Sequence, residues 1–225
     1  MRTPLAWLNL VHERSRLLVA IAGVAFAVMI IFMNLGILGA LGLTASQSYG
    51  HLKAELFLSS PQTLEVSSPK PFPIERIYQA AGVTGVERTM AMYMGLMQWR
   101  NPETRINRAI FVYAINPDDP IMLLPELQDP GVLAALRRPN TVLMDLKSRP
   151  EFGPRDIGTK TEAGRRQVTI GGVYALGGGF TADGTIMMSD QNFRRYLDPR
   201  PLNLIDLGLI KLDGTVPVAT VQTQL

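Results

Sequence analysis

Two histidines and no cysteine stand in this chain of 225 residues, so the side chains that most often run acid-base or thiol chemistry near neutral pH are scarce. His12 lies near the N-terminus and His51 follows a long apolar run. A Ser-His-Asp triad would have to use His51, a poor location for a hydrolase. His51 and Glu55 stand four apart, a spacing that offers two metal ligands on one helix face, but no third ligand follows at a recognisable spacing, and a surface pair is the plainer reading. Gly177-Gly178-Gly179 is the richest glycine run, yet no Lys followed by Ser or Thr comes after it as a P-loop demands; it reads as a tight loop between strands. Asp118-Asp119, between Pro117 and Pro120, lacks the alternating oxygen ligands and the glycine of a calcium loop, and reads as a turn. The expectation is a protein that is not an enzyme, with no catalytic residue, no cofactor and no metal. Lack of cysteine excludes disulfides and thiolate sites, so any globular part stands on its core.

What would position these groups is dominated by residues 17–43, which contain no charged side chain. Hydrocarbon ~30 Å thick needs roughly 20 apolar residues in a helix, and this run reaches about 40 Å at ~1.5 Å per residue. We read a membrane-spanning helix over 17–43. Arg2, Arg14 and Arg16 precede it with only Glu13 opposing, which by the positive-inside bias puts 1–16 in the cytoplasm and 44–225 outside it. A cleaved secretion signal is the rival, with Thr44, Ala45 and Ser46 as its small residues; its apolar core would be only ~7 to 15 residues long, so an uncleaved anchor is expected. Before the span, Leu5, Trp7, Leu8 and Val11 either form a short interfacial helix opening near Pro4 or simply extend the spanning helix. Within it, Gly23 and Ala27, and again Gly36 and Ala40, are small residues four apart that let another helix approach, and Asn34 offers an amide to the same contact.

All but three of the 22 Lys and Arg residues, and all but one of the 19 Asp and Glu, lie beyond residue 43, so that part is nearly neutral. Despite a sequence pI of about 9.3, it advertises no nucleic-acid partner. Arg137-Arg138, Arg165-Arg166 and Arg194-Arg195 read as scattered solvated pairs.

Residues 44–225 are long enough for one ordinary domain or two small ones. Residues 45–53 continue the helix as a stalk, and 56–58 form a first short strand. Ile74, Ile77, Tyr78 and Ala81 recur at helical spacing, with Gly82 as the stop. Residues 86–99 and 108–115 pair as an antiparallel hairpin joined around Asn101-Pro102-Glu103-Thr104. A short helix is expected over 133–137, strands over 141–145, 167–176 (interrupted by Gly171-Gly172) and 185–189, and Asp183-Gly184 supplies turn chemistry between the last two. Asp190 caps a helix through Tyr196, 204–212 is a buried strand, and 217–225 begins a last helix. The class is α+β, mixed and mainly antiparallel, behind one N-terminal transmembrane helix.

One helix followed at once by a large extracytoplasmic α+β domain resembles the first half of MacB-type ABC transporter permeases. The strings Pro4-Leu5-Ala6-Trp7-Leu8, Arg16-Leu17-Leu18-Val19-Ala20 with Gly23, Asn101-Pro102-Glu103-Thr104-Arg105, Ser148-Arg149-Pro150-Glu151-Phe152-Gly153-Pro154 and Leu207-Gly208-Leu209-Ile210-Lys211-Leu212 are similar to the DevC-type branch, best known from cyanobacteria. The resemblance implies a MacB-like periplasmic domain on an inner-membrane exporter subunit. Such a subunit works with a separate ABC ATPase, a periplasmic membrane-fusion adaptor and an outer-membrane tunnel protein, and exports glycolipids or similar amphiphiles. It implies mechanical rather than chemical work. Arg149, Glu151, Phe152 and Gly153 would then form a rigid loop offering charges to a partner, with a fold-stabilising turn holding an internal ion pair as the alternative.

The family continues into three more membrane helices and a cytoplasmic loop that meets the ATPase, whereas this sequence ends at Leu225, so a truncated product, one half of a split permease or a fragment is expected. The remaining permease helices, or a second permease copy, would be its partners in the lipid bilayer. Two other classes stand beside this reading. A membrane-anchored periplasmic binding or sensing module acting alone would carry its cleft near the Gly177 to Asp183 loop; a tethered hydrolase would depend on His51.

Overall fold

The structure, a computed structural model, describes residues 14–64, 69–177, 183–197 and 201–225. The chain divides into two compact units, 1–46 and 47–225. Residues 1–13, with His12 and the expected interfacial helix, lie outside the described residues, as do 178–182 of the glycine loop.

Helix α1 runs Arg14–Gly50, 37 residues, about 55 Å at ~1.5 Å per residue. Leu18, Phe26, Phe32 and Leu38 are all at least 60% exposed, and between residues 18 and 40 no side chain is buried. A helix apolar on every side has no face for water, so its stretch Arg14–Ala40 is long and apolar enough to cross a membrane by length and composition. The same helix continues beyond 43, as the stalk reading anticipates, and stops at Gly50.

The second unit begins with β1 (Leu56–Leu58), β2 (Phe72–Pro73) and α2 (Glu75–Ala81). The hairpin β3 (Val86–Arg100) and β4 (Asn107–Ile115) follows, in the register Met92↔Ile115 to Arg100↔Asn107. Next come α3 (Pro130–Arg137), β5 (Thr141–Asp145), β6 (Lys160–Ala163) and β7 (Arg166–Tyr174). The chain ends with β8 (Thr185–Ser189), α4 (Asp190–Tyr196), β9 (Leu204–Ile205), β10 (Leu207–Leu212) and α5 (Val218–Gln224).

The strand order β1-β10-β3-β4-β8-β5-β7-β6 conceals a closure, because β6 also pairs with β3 through Trp99↔Ala163 and Arg100↔Glu162. Each of β3, β4, β8, β5, β7 and β6 is thereby bonded to two others of this set, β3 to β10 as well, and these six strands form a ring. Trp99, Ile110, Val142, Ala163, Val168 and Ile186, one from each ring strand, belong to a single cluster and are fully buried. They fill the inside. Each of the Ile and Val side chains contributes roughly 1.5–3 kcal/mol by leaving water. The outer face carries Met90, Met92, Met94, Phe111, Tyr113, Leu143 and Met187, covered by Ile121, Leu124, Leu127 and Leu136 from the segment that ends in α3.

Several elements differ from expectation for physical reasons. Asp183-Gly184 does not join β7 and β8 as neighbours; β5 lies between them, parallel to β7 and antiparallel to β8. The chain from Tyr174 to Thr185 is far longer than a two-residue hairpin loop, and β5, buried at every residue, takes neighbours on both edges. The β4–β8 pair is also parallel. Helix α3 starts earlier than residue 133 because Pro130 opens it and the Asp129 carboxylate accepts from Gly131 N at 2.8 Å. Ser189 rather than Asp190 caps α4, its Oγ accepting from Asn192 N at 3.2 Å. The expected strand 204–212 breaks at Asp206, whose buried carboxylate accepts from Met94 N at 2.7 Å. Strand β6 was unanticipated, since Lys160-Thr161-Glu162-Ala163 carries no apolar pattern.

Candidate functional site

Two strings far apart in sequence, 101–105 and 148–154, meet where the ring closes. Asn101, buried, donates from Nδ2 to the Glu151 carbonyl at 2.9 Å, while its Oδ1 accepts from Glu103 N at 2.8 Å and Thr104 N at 3.1 Å. Trp99 Nε1 donates to the Phe152 carbonyl at 3.0 Å. Thus one amide shapes the β3–β4 turn and holds the second loop against it. Gly153, at φ 90° and ψ −168°, sits in a region reserved for glycine, and a Cβ there would lie 2.8 Å from Pro102 Cδ. The Phe152 ring enters the ring core, against Gly184, where a Cβ would come within 2.5 Å of it.

The loop's charges face outward. Arg149 pairs with Asp183, Nη2 to Oδ1 3.0 Å, rather than with Glu151, and its amide donates to the Asp183 carbonyl at 2.9 Å. Both side chains are half exposed or more, so the pair is worth under about 1 kcal/mol. Glu151 points to solvent. Of the four residues expected to meet a partner, Arg149 and Glu151 present surface, whereas Phe152 is 1% exposed and Gly153 is braced from behind by Asn101 and Pro102.

Beside this loop lies a buried polar network that the sequence reading missed. The Asp145 carboxylate accepts from Lys147 N at 2.9 Å, Gly177 N at 2.6 Å, Leu176 N at 3.2 Å and Thr185 Oγ1 at 2.8 Å. Because Thr185 gives its single proton to Asp145, the Tyr174 hydroxyl, 2.8 Å away, donates to Thr185. Complete burial first, then the negative field of Asp145, push the Tyr174 phenol well above its ordinary range. This satisfied carboxylate pins the start of the glycine loop to β5. A buried Asp at the end of an apolar strand was its only sequence signal.

His51 and Glu55 do not share a helix, since α1 ends at Gly50; Glu55 accepts from Leu212 N at 2.9 Å and ties the strand edge instead. On α1, helical geometry of about 100° per residue gathers Gly23, Ala27 and Asn34 within ~40° of one another but turns Gly36 and Ala40 to the nearly opposite side. The small residues therefore form two faces, with Asn34 on the first. Beyond the helix's own backbone, no atom comes within 4 Å of where a Cβ on Gly23 or Gly36 would stand.

Among the described residues, the second unit carries two clefts lined by residues other than Gly177; residues 178–182, where the sequence reading put a cleft, lie outside the described residues. One of about 670 Å³ lies between Leu58–Gln62, Pro71–Pro73 and α2. The other, about 650 Å³, is lined by Arg166, Gln191, Arg194, Arg195 and Leu202. An acidic corner forms elsewhere: burial raises the Asp119 carboxyl against the opposing Arg88, and burial together with Asp119 and Asp118 raises that of Asp190. Among the described residues no acid or histidine group is arranged to hold a metal ion.

No protein-family model matches the chain. No curated protein matches it. Among solved structures, the extracellular domain of the noncanonic ABC-type transporter YknZ from Gram-positive bacteria overlaps it with a TM-score of 0.46 at 15% identity, covering 76% of this chain and 87% of that one. The periplasmic region of MacB from Actinobacillus actinomycetemcomitans overlaps with a TM-score of 0.46 at 8% identity, covering 68% of this chain and 70% of that one. At such identities the likeness concerns fold alone.

Proposed function

We propose that this chain is an inner-membrane subunit of a DevC-type, MacB-like ABC exporter. It contributes one spanning helix and a periplasmic α+β domain that couples a separate ATPase to an adaptor and an outer-membrane tunnel, for export of glycolipids or similar amphiphiles. The observation that carries the reading is α1 itself, whose apolar side chains are exposed on all sides over Arg14–Ala40. Only lipid or other apolar helices satisfy such a rod. Its two small-residue faces suit a helix sandwiched between two neighbours, as a multi-helix permease or a second copy would provide. In the second unit, the strings that resemble the family lock together at the ring closure, a stiff joint fit to transmit displacement rather than to do chemistry.

The test is purification of the tagged chain from chemically cross-linked membranes of cells that carry its gene, after an alkaline carbonate wash. Retention in the membrane with an ABC ATPase and further permease helices in the cross-linked product is expected. Release by carbonate, or recovery without any ATPase, would overturn the proposal.

A further inference from the structure

The arginine pairs that read as scattered in the sequence are not scattered in space. Arg166 opens β7, Arg194 and Arg195 occupy the last turn of α4, and all three line one cleft with the Gln191 amide and Leu202. The Tyr196 hydroxyl, 2.6 Å from the Gln167 carbonyl, ties α4 to the start of β7 and so sets the cations side by side. That phenol, raised above its ordinary range by burial, also feels the opposing positive fields of Arg166 and Arg195. The β6–β7 turn that delivers Arg166 keeps Arg165 at φ 67°, a left-handed conformation that non-glycine residues rarely adopt. The C-terminal carbonyls of α4 favour Arg194 and Arg195, but no helix end calls for Arg166 there. Among the described residues no carboxylate lines the cleft or pairs with any of the three.

Like charges gathered from separate elements, with no carboxylate beside them among the described residues, repel, and a multivalent anion relieves that repulsion. Guanidinium groups donate in a planar fork that matches phosphate oxygens, and a side-chain amide adds a neutral donor. The cleft volume lies within the range of small-ligand sites, and its mainly polar wall suits a charged group better than an acyl chain.

We propose that Arg166, Arg194, Arg195 and Gln191 form an anion site for a phosphomonoester-class group, carried either by a free small molecule or by the headgroup of an anionic amphiphile. The site does not depend on the exporter reading, since it would serve an independent sensor equally.

The test uses the full chain in neutral detergent micelles, with thermal unfolding of the second unit followed by near-ultraviolet circular dichroism at fixed ionic strength. One arm titrates inorganic phosphate against chloride; the other dopes the micelles with phosphatidic acid. A saturable rise in Tm is expected in at least one arm. The apparent affinity should fall at least ten-fold in the Arg166→Gln, Arg194→Gln, Arg195→Gln triple variant and remain in Arg108→Gln, which removes an exposed cation from β4. Saturation by phosphatidic acid at concentrations where phosphate is silent assigns the headgroup source; saturation by phosphate alone assigns the free one. Should the triple variant fail to fold, Arg166→Gln and Arg194→Gln are read singly, each with a several-fold loss. No saturable shift in either arm, or variants that respond as the parent does, would overturn the proposal.

Discussion

Gly153 and Asn101 show how much a single position decides. The glycine is forced twice, by its backbone angles and by Pro102 at 2.8 Å from where a Cβ would stand. Gly153→Ala is expected to lower stability by about 2–3 kcal/mol, seen as a lower Tm with the secondary structure retained. Asp190 gives a prediction with a pH sign. Its carboxyl is raised above the ordinary 3.8 by burial first and by Asp119 and Asp118 after it. The folded state therefore binds its proton more readily than the unfolded state, and the favourable contribution of that proton is present below 3.8 and lost as pH rises through the higher folded value. Asp190→Asn, which keeps an oxygen to accept from Gln191 N, should be more stable than the parent at pH 7. The advantage should shrink as pH falls toward 3.8, measured by chemical unfolding across that range.

The elements divide between those whose pattern is local and those whose partners are remote. The hairpin of β3 and β4, the strands at 141–145 and 185–189 and the helix through Tyr196 were legible because alternation, turn residues and helical spacing are written within each segment. The parallel placement of β5 beside β7 was not, since nothing inside Thr141–Asp145 says which neighbour it takes. Nor was ring closure, which rests on two register positions and a short polar strand. At that seam Arg100 and Glu162 pair at 2.9 Å, and Thr161 donates its hydroxyl to the Arg100 carbonyl. Trp99 fills the interior beside it and holds the Phe152 carbonyl. Trp99→Phe keeps an aromatic ring but orphans that buried carbonyl, so a loss of about 2–3 kcal/mol is expected. Faster amide hydrogen exchange at β6 and the end of β3 should accompany it, while β1 and β10 stay as protected as before.

For the whole molecule, the decisive property is that one chain joins a helix apolar on every side to a unit with its own filled core. Ile30 stands near the middle of the apolar stretch. Ile30→Lys adds about 3 kcal/mol to the cost of insertion, so a larger share of the chain should leave the membrane in a carbonate wash. A similar response from the parent and the variant would remove the bilayer from the account. Of the site residues read from the sequence, the small residues of α1 kept their four-residue spacing but split onto opposite faces, a consequence of helical pitch. In the loop, Arg149 and Glu151 stayed at the surface while Phe152 went inside, because an aromatic ring beside a glycine that admits it close gains more from burial than from solvent.

Sequence alone determined the spanning-length helix, the α+β class and the scarcity of reactive side chains, since length, hydropathy and composition are properties of consecutive or summed residues. Only the tertiary structure decided that six strands close on themselves, that residues 101–105 brace residues 148–154, and that three arginines from β7 and α4 share a cleft. Each of those depends on segments distant in the chain meeting in space, and local pattern carries no record of such a meeting.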